Sequence, residues 1–491
     1  MSYVNPIHRG RLVLMPRVRN VFAELHFSTV PRGGVETELA CCPETIRMYQ
    51  VNELGAHGVS GDLFNFPYLF HKDGRPWIEA NSYLLSLIKN KVVSNRPSDD
   101  IRRRASKLLD YLIFCEEREL DWLDFSGKRP VLRPTYKYFS HLLSSARRSK
   151  AVVNQYTGVV YNFYKFVSSS WHSIDMDRVD TTKQTAFLVS GVHGTKLVSA
   201  VKRSQTKPIA PKSSVPIGFV REDGDDLRPL ANVELASLLN ILKDKKWSPM
   251  ERLLMLTSLM TGARKQTVLT IRIKHLKNFT EENLQADGTY LLHAGPGTGI
   301  DTKNNTKQRL YFPKQLADEL RVLSASNLMV KRRVKFNEQM ERHFPESHMR
   351  EEDLYLFLSD QGGCYYMAKD DPRYPVVKSR PAGQVVDTVK RKLMCVAGVE
   401  LPNDFSYHWL RATYAFQLYQ LLQPLLATGQ ILPGEEITFI QHRMHHKRRE
   451  TTESYLKLFK MHSQKLMAQE MYEEQLFKFQ GYDDLKLGLF E

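Results

Sequence analysis

From Leu227 onward, segments of helical period are interrupted once, by two short runs around a Gly- and Asn-rich turn region. Asn232 to Lys243 and Met250 to Met260 read as helices, and Gly262 breaks the second just before Arg264. Gly288 to His293 and Gln308 to Pro313 read as the two strands of a hairpin within 284–313. Helices resume at Lys314–Leu323, Val385–Val396 and His408–Leu422, and again from Glu435 with breaks; a Pro/Gly-rich interval spans Ser359 to Pro381. The expected fold is therefore mainly α with a small β-hairpin sheet (α+β).

A helical period also governs Trp77 to Ser170. Ile101, Ala105, Leu108, Leu109 and Leu112 form one stripe; Val152, Tyr156, Val159, Val160, Phe163 and Val167 form another. With helices at Asn81–Lys91 and Thr135–Arg147 this makes a bundle of about four. Its polar faces carry Arg102, Arg103, Arg104 and Lys107, then Arg147, Arg148 and Lys150. Solvation explains such runs, and so does contact with phosphates. Residues 1–75 hold only short apolar runs (Leu12–Met15, Leu63–Phe70), which suit strands or irregular structure. Thr181 to Arg221 has no acidic residue and three prolines, and reads as a flexible basic connector.

Charge narrows the class of partner. Lys and Arg number 70 against 54 Asp and Glu, a net charge of +16 in 491 residues. That excess favours a polyanion, nucleic acid before an anionic membrane. No apolar run reaches membrane-spanning length, and the N-terminus lacks the pattern of a secretory signal. Five cysteines, Cys41, Cys42, Cys115, Cys364 and Cys395, form an odd, sparse set that reads as reduced and intracellular.

Four pieces of the last domain carry a common chemistry. Thr261-Gly262-Ala263-Arg264 displays an arginine after a tight turn, and a guanidinium fork suits a phosphate. His408-Trp409-Leu410-Arg411 puts a histidine and an arginine on one helix face. Asp301 to Arg309 places Lys303, and further on Lys307, near the hairpin turn. Met444 to Tyr455, MHHKRRETTESY, sets His446 nine residues before a tyrosine, with Lys447, Arg448 and Arg449 between. A phenol with a pKa of about 10 is a poor nucleophile until cations or a base assist it. Each piece alone has a bland explanation in a surface helix or a chance match. Together they supply two arginines, two histidines, a lysine and a nucleophile without a carboxylate cluster for a metal, which fits metal-free attack on a phosphodiester.

In this order the pieces make the chain resemble the tyrosine recombinases, the phage integrase family, over Leu227 to Lys460 and more loosely over the helical bundle. The resemblance implies that Arg264 and Arg411 hold the scissile phosphate and that His408 assists proton transfer or positions the phosphate. It implies that His446 hydrogen-bonds to the phosphate and that Tyr455 attacks phosphorus, giving a 3′-phosphotyrosyl link and a free 5′-hydroxyl. Lys303 would protonate the leaving oxygen, with Lys307 as the second choice. The implied domains are an N-terminal extension of unknown role (1–75), a core-binding domain (76–175), a basic linker (176–227), the catalytic domain (228–465) and a C-terminal tail (466–491). An amphipathic helix after Tyr455 (Leu456, Phe459, Leu466, Met467, Met471) runs into this tail, which would pack on a neighbouring subunit or on its own domain.

The implied function is site-specific recombination that integrates or excises a mobile element, without cofactor or metal, in the cytoplasm at the nucleoid. The implied partners are double-stranded DNA recombination sites, a homotetramer on synapsed DNA and accessory DNA-bending proteins, with no membrane. Two departures stand out. Thr267 occupies a position where the family usually has an acidic residue, and His445 one where glycine is common. An insertion is expected around Lys331–Pro381, with a basic run at Lys331, Arg332, Arg333 and Lys335 that suits backbone contacts or a solvated helix face. A type IB-like topoisomerase and a DNA-binding protein with a decayed site are the competing readings; a zinc site at His442, His445 and His446 lacks a Cys or acidic partner.

Overall fold

The computed structural model describes residues 10–18, 24–28, 48–52, 62–89, 96, 98–144, 148–191, 194–209, 215–216, 218–222, 224–397 and 401–455. Arg147, Cys41, Cys42 and the tail from 456 onward lie outside them. The chain divides into two compact units, 1–212 and 213–491.

In the first unit, β1 (Leu12–Val18) opens the described chain, followed by β2 (Glu24–Ser28), β3 (Met48–Asn52) and β4 (Leu63–Leu69). β1 pairs antiparallel with β4, and β2 with β3, so both apolar runs of the extension are strands. Four helices follow: α1 (Ile78–Lys89), α2 (Ser98–Glu117), α3 (Pro134–Ser144) and α4 (Lys150–Ser170). The stripes read from the sequence face inward, and Leu63, Phe66 and Leu69 of β4 share their core. Trp77 anchors it, edge-on to Phe163 at 5.0 Å and to Trp122 at 5.5 Å. Much of the basic face is matched locally. Arg102 pairs with Asp99, Arg104 with Asp100 at 3.0 Å, and Arg148 bidentately with Asp110 at 3.1 and 2.9 Å. Arg103 is exposed.

The stretch expected to be a flexible connector contains ordered structure. After α5 (Met176–Val179), β5 (Thr182–Gly191) and β6 (Gly194–Arg203) pair along their whole length, from Thr182↔Arg203 to Gly191↔Gly194. The base of this hairpin is tied down: Asp180 accepts from Ser204 Oγ (2.7 Å) and from the Gln205 amide (3.1 Å). Lack of acidic residues describes charge and says little about order; the Val-, Leu- and Thr-containing strands supply the β-forming pattern.

The second unit begins with a three-residue hairpin, β7 (Val220–Glu222) and β8 (Asp225–Leu227). Then come α6 (Asn232–Lys243), α7 (Pro249–Thr261), α8 (Lys265–Leu269), α9 (Ile273–Leu276), β9 (Thr289–Ala294) and β10 (Gln308–Pro313). They are followed by α10 (Lys314–Ala325), α11 (Asn327–His343), α12 (Val385–Ala397), α13 (Trp409–Ala427) and α14 (Glu435–Met444). β9 and β10 form the expected hairpin, Thr289↔Pro313 to Ala294↔Gln308. The fold is mainly α, with small two-stranded antiparallel sheets. No described helix is long and apolar enough to cross a membrane.

α7 has clear start and stop signals. Ser248 caps it, Glu251 reaches back to the Ser248 amide (3.0 Å), Pro249 takes the first turn, and Gly262 ends it at φ 66°. α13 packs against α7 and α14, with Leu254, Leu410 and Ile440 in one core. The basic run on α11 is spent internally. Arg332 donates to the Leu358 carbonyl (2.7 Å), Arg333 to Ser324 (2.8 Å) and Lys335 to Asp360 (2.8 Å). Arg332 and Lys335 thus hold the 358–360 stretch against α11, and Arg333 ties α11 to α10.

Candidate active site

Each expected residue arrives on a differently built element. Gly262 takes the left-handed conformation that turns the chain out of α7, and a Cβ there would lie 2.5 Å from the Tyr414 ring. The turn delivers Arg264 to the start of α8. His408 caps α13, and Arg411 lies one turn into it. Arg411 is almost fully buried; its Nη1 donates to the Gly262 carbonyl at 2.6 Å and its Nη2 to the Met444 carbonyl, so it clamps the ends of α7 and α14 together.

α14 ends at His445 with φ 53°, in the left-handed region that favours glycine. The His445 ring is hydrogen-bonded to the Arg309 carbonyl of β10 at 2.9 Å, which offsets the backbone cost. This accounts for histidine in place of glycine: it is a structural tie, and it reverses the chain so that the neighbouring His446 faces inward. His446 Nδ1 lies 3.0 Å from Thr452 Oγ1; with Thr452 donating, Nε2 carries the ring proton. One helical turn later Tyr455 is fully buried, its ring 5.4 Å from that of His446.

All five of these side chains converge on one group that sequence reasoning missed, the carboxylate of Glu222. Arg264 and the Tyr455 hydroxyl donate hydrogen bonds to it. Arg411 Nε lies 3.7 Å away, His408 Nε2 3.8 Å and His446 Nε2 3.9 Å. The strand period puts Glu222 there: Val220 and Glu222 point inward, while Arg221 points out to pair with Asp226 at 2.6 Å. Thr267 is buried with no hydrogen-bond partner for its hydroxyl, so the carboxylate that meets Arg264 comes from β7 and not from α8.

The electrostatics follow from burial against converging charge. Burial alone would raise the Glu222 carboxyl, but Arg411 and Arg264 hold it well below the usual carboxylate range. Burial, reinforced by the two arginines, lowers His408 to about 4 and His446 to about 3, so both imidazoles are neutral at neutral pH. Burial, with the adjacent Glu222 anion, pushes the Tyr455 phenol well above its ordinary value. In this arrangement Tyr455 is a hydrogen-bond donor and not a nucleophile.

Lys303 sits half-buried on the turn before β10, close enough for its charge to lower His408. That turn is braced by Thr302 Oγ1 to the Thr306 carbonyl and by Lys369 Nζ to Asn305, each 2.6 Å. Lys307 is exposed. Among the described residues no group of three or more His, Cys, Asp or Glu is placed to hold a metal.

No family profile matches the chain, and no curated relative does. Solved structures do. XerH site-specific recombinase bound to difH substrate, in a pre-cleavage complex, matches at 15% identity and a TM-score of 0.40, over 76% of this chain and 81% of that one. The chain is similar to recombinases and integrases. Tn1549 transposon integrase in complex with transposon right end DNA matches at 10% identity and a TM-score of 0.35, over 77% and 94% of the two chains. A lambda integrase dimer bound to a COC′ core site matches at 13% identity and 0.34, over 76% and 94%.

Proposed function

We propose that this chain is a tyrosine recombinase that cleaves and rejoins DNA through a 3′-phosphotyrosyl intermediate. One observation carries the proposal. Two arginines, two histidines and a tyrosine surround a single anion, and three of the atoms facing it, Arg411 Nε, His408 Nε2 and His446 Nε2, are buried without any hydrogen bond. Buried polar groups are rarely left unmatched. A carboxylate has two oxygens and a phosphodiester has four, so a DNA phosphate in the same place would meet donors that Glu222 leaves unmet.

With phosphate there, Arg264 and Arg411 stabilise the charge that develops on its non-bridging oxygens. Tyr455 Oη forms the new bond to phosphorus, the bond to the 5′ oxygen breaks, and Lys303 gives that oxygen its proton. His408 assists removal of the phenol proton and His446 holds a non-bridging oxygen. One phosphate ester replaces another, so rejoining needs no nucleotide. The substrate is a pair of double-stranded recombination sites, handled by a tetramer in which accessory DNA-bending proteins have a place, and the biological role is movement of a mobile element. The exposed cations Arg103, Lys183 and Lys202 of the first unit suit contact with the DNA backbone.

The test is covalent trapping. Wild type and Tyr455→Phe are incubated with candidate site DNA, denatured, and examined for a protein–DNA adduct. An adduct through the 3′ phosphate in wild type alone supports the reading; an adduct in both proteins assigns the nucleophile elsewhere. Joining of ends from two different duplexes separates a recombinase from a topoisomerase, which reseals the ends it cut.

A further inference from the structure

We infer that Glu222 is a built-in stand-in for the scissile phosphate, and that β7–β8 must leave the site before DNA can be cleaved. The inference rests on the proposed function, because it takes the Arg264–Arg411 site to be the phosphate site.

Three observations carry it beyond that reading. First, the contacts of Glu222 are those a substrate would make. Its oxygens accept from Arg264 and from Tyr455 and face Arg411, His408 and His446. Carboxylate and phosphodiester each carry one negative charge, so they compete for one site. Second, the nucleophile is committed. Its hydroxyl donates to Glu222, so the oxygen that would attack is protonated and held on a carboxylate. The closed state is therefore incompetent for attack even with every expected residue in place.

Third, the carrier is small. Each strand has three residues, and Gly224, at φ 96°, turns the chain between them. A two-stranded ribbon of this length is barely stable by itself. It is held from outside by Trp409 Nε1 donating to the Asp226 carbonyl at 3.2 Å and by burial of Val220 and Leu227. Removing Glu222 without replacement would take a carboxylate away from two cations, Arg411 buried and Arg264 partly buried, which is unfavourable. Glu222 thus balances the two arginines, and an incoming phosphate can take over the same charge balance. The hairpin would keep the phenol from attacking stray phosphodiesters until DNA binding displaces it.

The experiment follows thermal unfolding of the full chain against inorganic phosphate, at ionic strength fixed with sodium chloride. A ligand that binds only the folded state raises the melting temperature with the logarithm of one plus the ratio of free ligand concentration to Kd. Glu222→Gln keeps the shape and removes the charge; it should reach the same phosphate-induced shift as wild type at a concentration at least tenfold lower. Adding Arg264→Ala to Glu222→Gln should abolish the shift. Equal phosphate dependence in wild type and Glu222→Gln, or weaker dependence in the variant, overturns the stand-in and leaves the anion site in place. No Arg264-dependent response in any of these proteins removes the anion site itself, and the proposed function with it. Should Glu222→Gln not fold, wild type decides by hydrogen exchange with a saturating generic duplex. Faster exchange of the 220–227 amides supports displacement, and unchanged or slower exchange overturns it.

Discussion

Tyr455 donates its phenolic hydrogen to a carboxylate 233 residues upstream, that of Glu222. The bond brings the first strand of the second unit and the proposed nucleophile to one point. Tyr455→Phe should therefore have two separable effects. The covalent adduct should vanish while DNA affinity, measured by gel shift, changes less than about threefold. Chemical denaturation should show a loss of about 1–3 kcal/mol, the usual range for a hydrogen bond to a charged group.

Lys303 and Lys307 can be told apart by the leaving group. A bridging sulfur at the 5′ position leaves without a proton, so it bypasses a missing acid. Lys303→Ala should slow cleavage of ordinary DNA by about 100-fold or more, the usual scale of general-acid catalysis, and recover on the sulfur substrate. Lys307→Ala should lie within a few-fold of wild type on both. Failure of sulfur to rescue Lys303→Ala would remove it from the acid role.

The lowered imidazoles predict acid lability. Between pH 6.5 and about 4 an unfolded His408 or His446 binds a proton that the folded one refuses. Stability is thus full above pH 6.5 and falls as pH drops toward the folded values, by about 1.4 kcal/mol per pH unit for each fully shifted group. Urea titrations from pH 7 to 5 should show this slope, and His446→Gln should lessen it. A slope unchanged in that variant would mean His446 is not held neutral.

His445 sits at φ 53°. His445→Gly loses the bond to Arg309 but gains an unstrained backbone, so stability should change by less than about 1 kcal/mol. His445→Val loses the bond and keeps the strain, and should cost about 2 kcal/mol or more, because a β-branched residue suits this conformation worst. Similar melting temperatures for the two variants would show that the turn opens without cost.

Arg332 donates to the Leu358 carbonyl from a partly buried position. Arg332→Ala should lower stability by about 1–3 kcal/mol while leaving the salt dependence of DNA binding unchanged. A shallower salt slope would instead assign Arg332 to the DNA.

The sequence made parts of this molecule legible and hid others for physical reasons. The β9–β10 hairpin and most helices follow from apolar period and from breaks such as Gly262. Arg264, His408, Arg411, His446 and Tyr455 could be picked out because each residue type suits a phosphate, and the structure brings all five together. Glu222 could not. In Val-Arg-Glu-Asp-Gly-Asp-Asp an acidic residue reads as part of a surface turn, and its burial depends on cations supplied by residues far along the chain. His445 is half legible: its place at a common glycine position marks it as structural or a phosphate contact, and the left-handed backbone with the bond to Arg309 makes it structural. The β5–β6 hairpin did carry a signal, two Val- and Leu-containing runs either side of Gly191 and Gly194, which its basic composition obscured.

The span between Glu222 and Tyr455 has a consequence for synthesis. At about 5–20 residues per second, the tyrosine emerges on the order of 10–50 s after the glutamate. Glu222 is thus made before either arginine, and both arginines before Tyr455. A nascent chain would therefore hold the carboxylate and both of its arginine partners before the proposed nucleophile is made.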